Sequence, residues 1–223
     1  MRLYIDSAVM PDIEEALASG YVYGVTSNPT LLRRADVRAA AVPDLVRHVF
    51  ALGAKEMHVQ TYADDAESIV REGQELAALD SRIVVKIPAT AAGFKAASQL
   101  SGMGLRVTLT AVYTVQQAIL ANAVGAHYIA VYLGRMRDAG LDALDVVGRM
   151  QRTLDTCATN APASGHPVEI LAASVRTPEE VEALADIRVA TATMPLNILR
   201  MLPESPATGV AAATFSEDAK ALR

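Results

Sequence analysis

Eight short runs rich in β-branched residues, separated by segments with apolar residues at helical spacing, predict an α/β fold, a closed (β/α)8 TIM barrel. Composition agrees: the chain is 52% hydrophobic but only 4% aromatic, so its apolar content is mostly Ala, Val, Leu and Ile, which suits parallel strands covered by helices. The competing architecture, a doubly wound open sheet, usually announces itself by a phosphate-binding glycine fingerprint. No G-x-G-x-x-G follows the first strand, and no G-x-x-x-x-G-K-[ST] occurs anywhere.

In chain order the strands are expected at Leu3–Asp6, Tyr23–Thr26, Met57–Thr61, Ile83–Ile87, Val107–Thr110, Tyr128–Leu133, Glu169–Ala173 and Arg188–Thr191. Asp12–Ser19, Asp64–Leu79 and Thr114–Ala123 carry the helical spacing between them. Thr177 followed by Pro178 predicts the cap and first turn of a helix over Thr177–Leu184. A final short helix is expected over residues 208–223, and the stretch Ala158–Pro167 reads as a loop between a helix and a strand. No Pro/Gly/Ser-rich linker interrupts the pattern, so residues 1–223 are expected to form one domain, a size common for single α/β barrels.

A formal charge of -5 with mixed signs and no basic block argues against nucleic acid or an anionic membrane as partner. The one cysteine, Cys157, excludes an internal disulfide and has no His/Asp constellation near it. His48, His58, His127 and His166 lack metal-ligand spacing, and no metal site is expected. MRLYIDSA does not read as a signal peptide, and no long uninterrupted apolar stretch occurs, so a cytoplasmic protein is expected.

Barrel enzymes draw their chemistry from the C-terminal ends of the strands. Lys86 stands out there, inside the apolar run Ile83-Val84-Val85-Lys86-Ile87-Pro88. An unpaired ammonium is costly to bury, and a desolvated lysine amine attacks carbonyls to form a Schiff base. The bland alternative is a lysine whose stem is buried and whose head reaches water or an acid. Asp6, Asn28, Gln60, Thr108, Thr110, Tyr132, Arg135, Ser174 and Arg176 stand at or just beyond other strand ends. Singly, each has a dull explanation: Asp6 as a cap, Asn28-Pro29 as a turn, the threonines as strand formers, Tyr132 as a half-buried aromatic. Their convergence on one mouth is what those explanations leave out.

Leu3-Tyr-Ile-Asp6, Gly24-Val-Thr-Ser-Asn-Pro-Thr30, Val84-Val-Lys-Ile-Pro-Ala-Thr90 and Leu171-Ala-Ala-Ser-Val-Arg176 resemble the transaldolase family, in the same order and with few gaps to about Pro203. The short-chain branch that contains fructose-6-phosphate aldolase is the most similar. The resemblance implies a cofactor-free enzyme on a (β/α)8 barrel, with sugar phosphates as its small-molecule partners. It assigns the Schiff base to Lys86 and proton transfer at the C4 hydroxyl to Asp6. Thr110 matches the threonine that holds the catalytic water, and Asn28 binds hydroxyls of the three-carbon unit. Arg135, Ser174 and Arg176 match the phosphate site, where guanidinium forks suit a dianion.

Gln60, Ala130 and Tyr132 are the aldolase-like choices where typical transaldolases carry Glu, Ser and Phe. A glutamine cannot act as a base at neutral pH, so the phenol of Tyr132 would protonate the enamine and release dihydroxyacetone. Val131 replaces a common proline, Thr108 an asparagine, and Gly134 is closer to the transaldolase side. The tail Thr214–Arg223 resembles the family's last helix cut short; in the family that helix joins subunits in pentamers and decamers, so a homo-oligomer is expected but its size is open. Three readings follow: a class I aldolase acting on fructose 6-phosphate, a transaldolase passing the three-carbon unit between sugar phosphates, and a sugar-phosphate-binding barrel without catalysis.

Overall fold

The computed structural model describes residues 1–159 and 165–222. Helices and strands alternate in the order β1 (Arg2–Asp6), α1 (Met10–Ala18), β2 (Val22–Thr26), α2 (Pro29–Arg34), a 3-10 turn at Ala39–Ala41, α3 (Val42–Ala51), β3 (Glu56–Gln60) and α4 (Ala66–Ala77). The second half runs β4 (Ile83–Pro88), α5 (Ala91–Gly102), β5 (Val107–Val112), α6 (Val115–Ala123), β6 (Tyr128–Tyr132), α7 (Leu133–Asp138), α8 (Ala143–Thr159), β7 (Glu169–Ala173), α9 (Pro178–Asp186), β8 (Thr191–Met194), α10 (Leu196–Met201) and α11 (Pro206–Ala221). Among the described residues the eight strands pair in sequence order, all parallel, and β1 pairs with β8 to close the barrel. The predicted (β/α)8 barrel is the observed fold.

Helix starts are written locally. Asn28, Asp65, Thr90, Thr114, Thr177 and Ser205 each accept a backbone N–H of the first turn with the side chain. Gln117 answers Thr114 in a capping box. Proline occupies the first turn after Asn28, Thr177 and Ser205, where its missing N–H costs nothing.

The period-2 alternation of each strand divides the core. Val25, Met57, Val59, Val85, Ile87, Leu109, Ile129 and Ile170 point outward into the helical layer. Tyr4, Val84, Tyr128, Ala130 and Leu171 fill the barrel interior. Full burial of such a side chain contributes roughly 1.5–3 kcal/mol, so the helical layer is what holds the strands in place. Lys86 is therefore an inward residue between two outward ones, Val85 and Ile87.

Three sequence expectations need adjustment. The last strand is Thr191–Met194, not Arg188–Thr191. Arg188 adopts φ 63° and ends α9, its N–H bonding Ala185 O at 2.9 Å, while Val189 N–H bonds Leu184 O at 3.0 Å and its side chain is buried. Those residues form a left-handed helix stop with its hydrophobic contact, which mimics a β-run in sequence. Of the loop-like stretch Ala158–Pro167, residues 160–164 lie outside the described residues, and Ala158 and Thr159 still belong to α8. The final helix spans Pro206–Ala221, with Arg223 outside the described residues. Among the described residues no helix is long and apolar enough to cross a membrane.

Candidate active site

A cavity of about 480 Å³ opens at the C-terminal ends of the strands. Its lining joins Asp6 of β1, Gln60 of β3, Lys86 of β4, Tyr132 of β6 and Ser174 after β7 with Asn28, Thr30, Leu31 and Arg34 from the start and length of α2, and Arg135 of α7. Seven residues singled out in the sequence thus meet in one space: Asp6, Asn28, Gln60, Lys86, Tyr132, Arg135 and Ser174.

Lys86 is only 2% exposed. Its Nζ donates to the carbonyl of Ser27 at 3.2 Å, a neutral acceptor. Asp6 is half-buried, and burial pushes its carboxyl above the ordinary carboxylate range, with the charge of Lys86 and a hydrogen bond from Thr26 pulling the other way. That bond, Thr26 Oγ1 to Asp6 Oδ1, is 2.7 Å, and Thr26 Oγ1 lies 2.6 Å from Thr193 Oγ1. A hydroxyl chain from β8 through β2 thereby fixes the orientation of the carboxylate on β1. A lysine amine and a carboxylate of raised pKa facing one cavity can do Schiff-base and general acid–base chemistry.

Thr110 is buried and its Oγ1 lies 3.1 Å from the Tyr132 hydroxyl, so the phenol is tied to β5 at its polar tip. The Arg135 guanidinium sits over the Tyr132 ring, 5.1 Å from its centroid. Gln60 Oε1 is buried without a hydrogen-bond partner among the described residues. Asn28 does cap α2, its Oδ1 accepting from Leu31 N–H at 3.0 Å, and still lines the cavity, so the turn explanation and the site explanation hold together.

Two non-glycine residues of the mouth have left-handed backbone, Ala111 at φ 57° and Ser174 at φ 60°. Ala111 occupies the register shift between Thr110 and Val112, a bulge at which Ala111 itself joins the cavity wall. Such strain persists where surrounding structure over-determines it, commonly at functional sites. Gly134 is a further requirement: a Cβ there would lie 2.6 Å from Ser174 O and 2.8 Å from Ser174 Oγ.

Arg176 is not brought into the cavity. Its Nη1 and Nη2 donate to Asp138 Oδ1 and Oδ2 at 2.7 and 2.5 Å, and its backbone N–H donates to Glu180 Oε2 at 2.7 Å. Asp138 holds its own pKa below the usual range through that pair. Glu180 also pairs with Arg137.

Sequence reasoning did not assign Thr26 or Arg34. Both had a signal: Thr26 is the strand-end residue registered with Asp6, and Thr30 and Arg34 are one turn apart on the helix that Asn28 begins. It also missed a buried polar cluster deeper in the barrel. Glu56 Oε1 accepts from Tyr4 OH at 2.8 Å and lies 2.9 Å from His58 Nε2, and Glu56 Oε2 accepts from Arg106 and, at 3.3 Å, from Tyr128 OH. His58 Nδ1 lies 2.8 Å from Thr108 Oγ1, the residue registered with Lys86. Burial opposes the Glu56 charge, yet His58, Tyr4 and Arg106 together draw its carboxyl down to about 2, and burial drives the His58 imidazole below its ordinary value.

The family model for transaldolase/fructose-6-phosphate aldolase matches residues 3–223. A probable transaldolase of Heliobacterium modesticaldum is 32% identical over 223 residues, covering 100% of this chain and 99% of that protein. A probable transaldolase of Thermus thermophilus is 34% identical over 226 residues, covering 98% and 97%. Solved structures similar in fold include a thiamine phosphate pyrophosphorylase from Pyrococcus furiosus, with TM-score 0.58 at 14% identity and 87% and 85% of the two chains covered. A native KDPGal structure matches with TM-score 0.58 at 15% identity over 87% and 82%.

Proposed function

The chain belongs to the transaldolase/fructose-6-phosphate aldolase family, and on that premise we propose that it is a class I aldolase that cleaves and forms fructose 6-phosphate. The observation that carries this reading is the tie between the Tyr132 hydroxyl and Thr110 at 3.1 Å, beside Gln60 in the wall of the same cavity. In this reading Lys86 Nζ attacks the ketose C2 carbonyl and water leaves as the iminium forms. The Asp6 carboxylate takes the C4 hydroxyl proton, the C3–C4 bond breaks, and its electron pair moves into the enamine while glyceraldehyde 3-phosphate departs. Tyr132 then protonates the enamine carbon. A water held by Gln60 and Thr110 hydrolyses the iminium, releasing dihydroxyacetone and restoring the amine; the proton set free returns to the Tyr132 phenolate, and Asp6 gives up its own to solvent. Asn28 holds hydroxyls of the three-carbon unit, and Arg135 with Ser174 faces the phosphate. Nothing in this sequence of steps calls for a cofactor.

A second reading, transaldolase, is favoured by the names of the relatives. Here the enamine waits for an aldose phosphate and attacks its aldehyde. The two differ in a single assay: fructose 6-phosphate cleavage with and without erythrose 4-phosphate. Glyceraldehyde 3-phosphate formed without the acceptor supports the aldolase; formation only with it establishes transfer. Borohydride reduction in the presence of dihydroxyacetone is expected to leave a covalent adduct on Lys86. A protein with no adduct there would be a binding barrel, against both catalytic readings.

A further inference from the structure

We infer that Arg34, on the last turn of α2, is the second guanidinium that grips the substrate's phosphate, partnering Arg135 in the place that Arg176 leaves empty-handed. The inference rests on the sugar-phosphate reading above and assigns its anionic end. Arg34 lines the same cavity as Lys86, Asp6, Arg135 and Ser174. It makes no ion pair or hydrogen bond with the described residues; Arg135 makes none either, its guanidinium lying over the Tyr132 ring and within the electrostatic reach of Asp138. Arg176, by contrast, has spent its fork on both oxygens of Asp138 and does not line the cavity.

The charges in the cavity wall come from two kinds of element. Asp6 and Lys86 come from strands, whereas Arg34 and Arg135 come from the helices that follow β2 and β6. Among the described residues Asp6 is the one carboxylate in that wall, and Asp138, outside it, is bonded by both oxygens to Arg176, so the guanidiniums of Arg34 and Arg135 keep their donors for a ligand. A dianion is the complement of two such forks. α2 also links the two tasks of the site: its Asn28 cap and Arg34, six residues on and roughly 9 Å further along the helix axis, both line the cavity.

The test compares wild type with Arg34→Gln and Arg34→Lys in the addition of dihydroxyacetone to glyceraldehyde 3-phosphate and to unphosphorylated glyceraldehyde. Loss of a charge-assisted contact predicts a KM for the phosphorylated aldehyde raised about tenfold or more in Arg34→Gln, partly recovered in Arg34→Lys. The KM for glyceraldehyde should stay within about twofold, since it carries no phosphate. Equal effects on both aldehydes, or no effect on either, would overturn the assignment. So would Arg176→Gln alone abolishing the preference for the phosphorylated substrate. A phosphorus NMR titration with inorganic phosphate reads the same site without turnover. Weaker phosphate binding in Arg34→Gln supports the inference even if wild type turns over neither aldehyde, an outcome that would defeat only the aldolase reading.

Discussion

Replacing Thr26 by valine removes the hydroxyl that donates to Asp6 while keeping shape and burial. Thr26 is fully buried, its Oγ1 is 2.7 Å from Asp6 Oδ1, and the carboxyl is already raised by burial, with this bond among the forces holding it down. A hydrogen bond to a charged group contributes roughly 1.5–3 kcal/mol, and each pKa unit corresponds to about 1.4 kcal/mol. The carboxyl should therefore rise further, with its ionised form disfavoured by an energy of that order. If Asp6 is the base of the cleavage step, it must be ionised in the free enzyme, and kcat/KM falls on the acid side of its pKa. The pH profile of fructose 6-phosphate cleavage in Thr26→Val should then show its acid limb displaced upward, with the high-pH plateau nearly kept. Thr26→Ser retains an O–H and should restore the limb. An unmoved limb, or a plateau lowered uniformly with no displacement, would refute the role given to the Asp6–Thr26 pair.

Gly134→Ala forces a Cβ to 2.6 Å from Ser174 O and from Arg176 Nε. It should raise the KM of phosphorylated substrates several-fold while borohydride trapping of dihydroxyacetone on Lys86 stays intact, as steady-state kinetics and mass spectrometry would read. Tyr132→Phe removes the hydroxyl bonded to Thr110 and should shift products from free dihydroxyacetone towards transfer to an added aldose phosphate; unchanged partitioning would deny Tyr132 its proton-transfer role. Glu56, held near about 2 against an ordinary value of 4.5, stabilises the folded state above pH 4.5, and that contribution is lost as pH falls towards 2. His58, depressed by burial, adds a loss in the same direction once pH falls below its ordinary 6.5. Urea unfolding across this range should give falling midpoints on acidification, and Glu56→Gln should flatten the lower part while costing roughly 3–5 kcal/mol at neutral pH.

The barrel was legible because outward strand residues must be apolar everywhere, and that requirement writes eight β-branched runs into the chain. Lys86 was legible for the converse reason, a charge where the pattern demands none. The last strand was misplaced because Val189 is buried at a helix end, where hydrophobicity alone does not separate a stop from a strand. The deep cluster escaped notice although Glu56, His58 and Gln60 stand at alternate positions of β3, all on the inner face, with Met57 and Val59 on the outer. Three polar residues at period 2 in a strand announce a polar interior; each histidine and acid taken singly does not. The separate fates of Arg176 and Arg34 depend on which carboxylate lies nearby in space, and Asp138 is 38 residues away from Arg176.

The cluster around Glu56 also bears on how the barrel comes together. Its partners arrive from β1, β3, β6 and the residue before β5, separated by 52 residues for Tyr4 and by 72 for Tyr128. A nascent chain that has reached only β4 holds Glu56, His58 and Tyr4, but neither Arg106 nor Tyr128 nor Thr108. A chain of that length therefore lacks the cation hydrogen-bonded to Glu56 and two of the hydroxyls of the cluster. The polar centre thus draws its partners from both halves of the chain and is complete only when the barrel has closed.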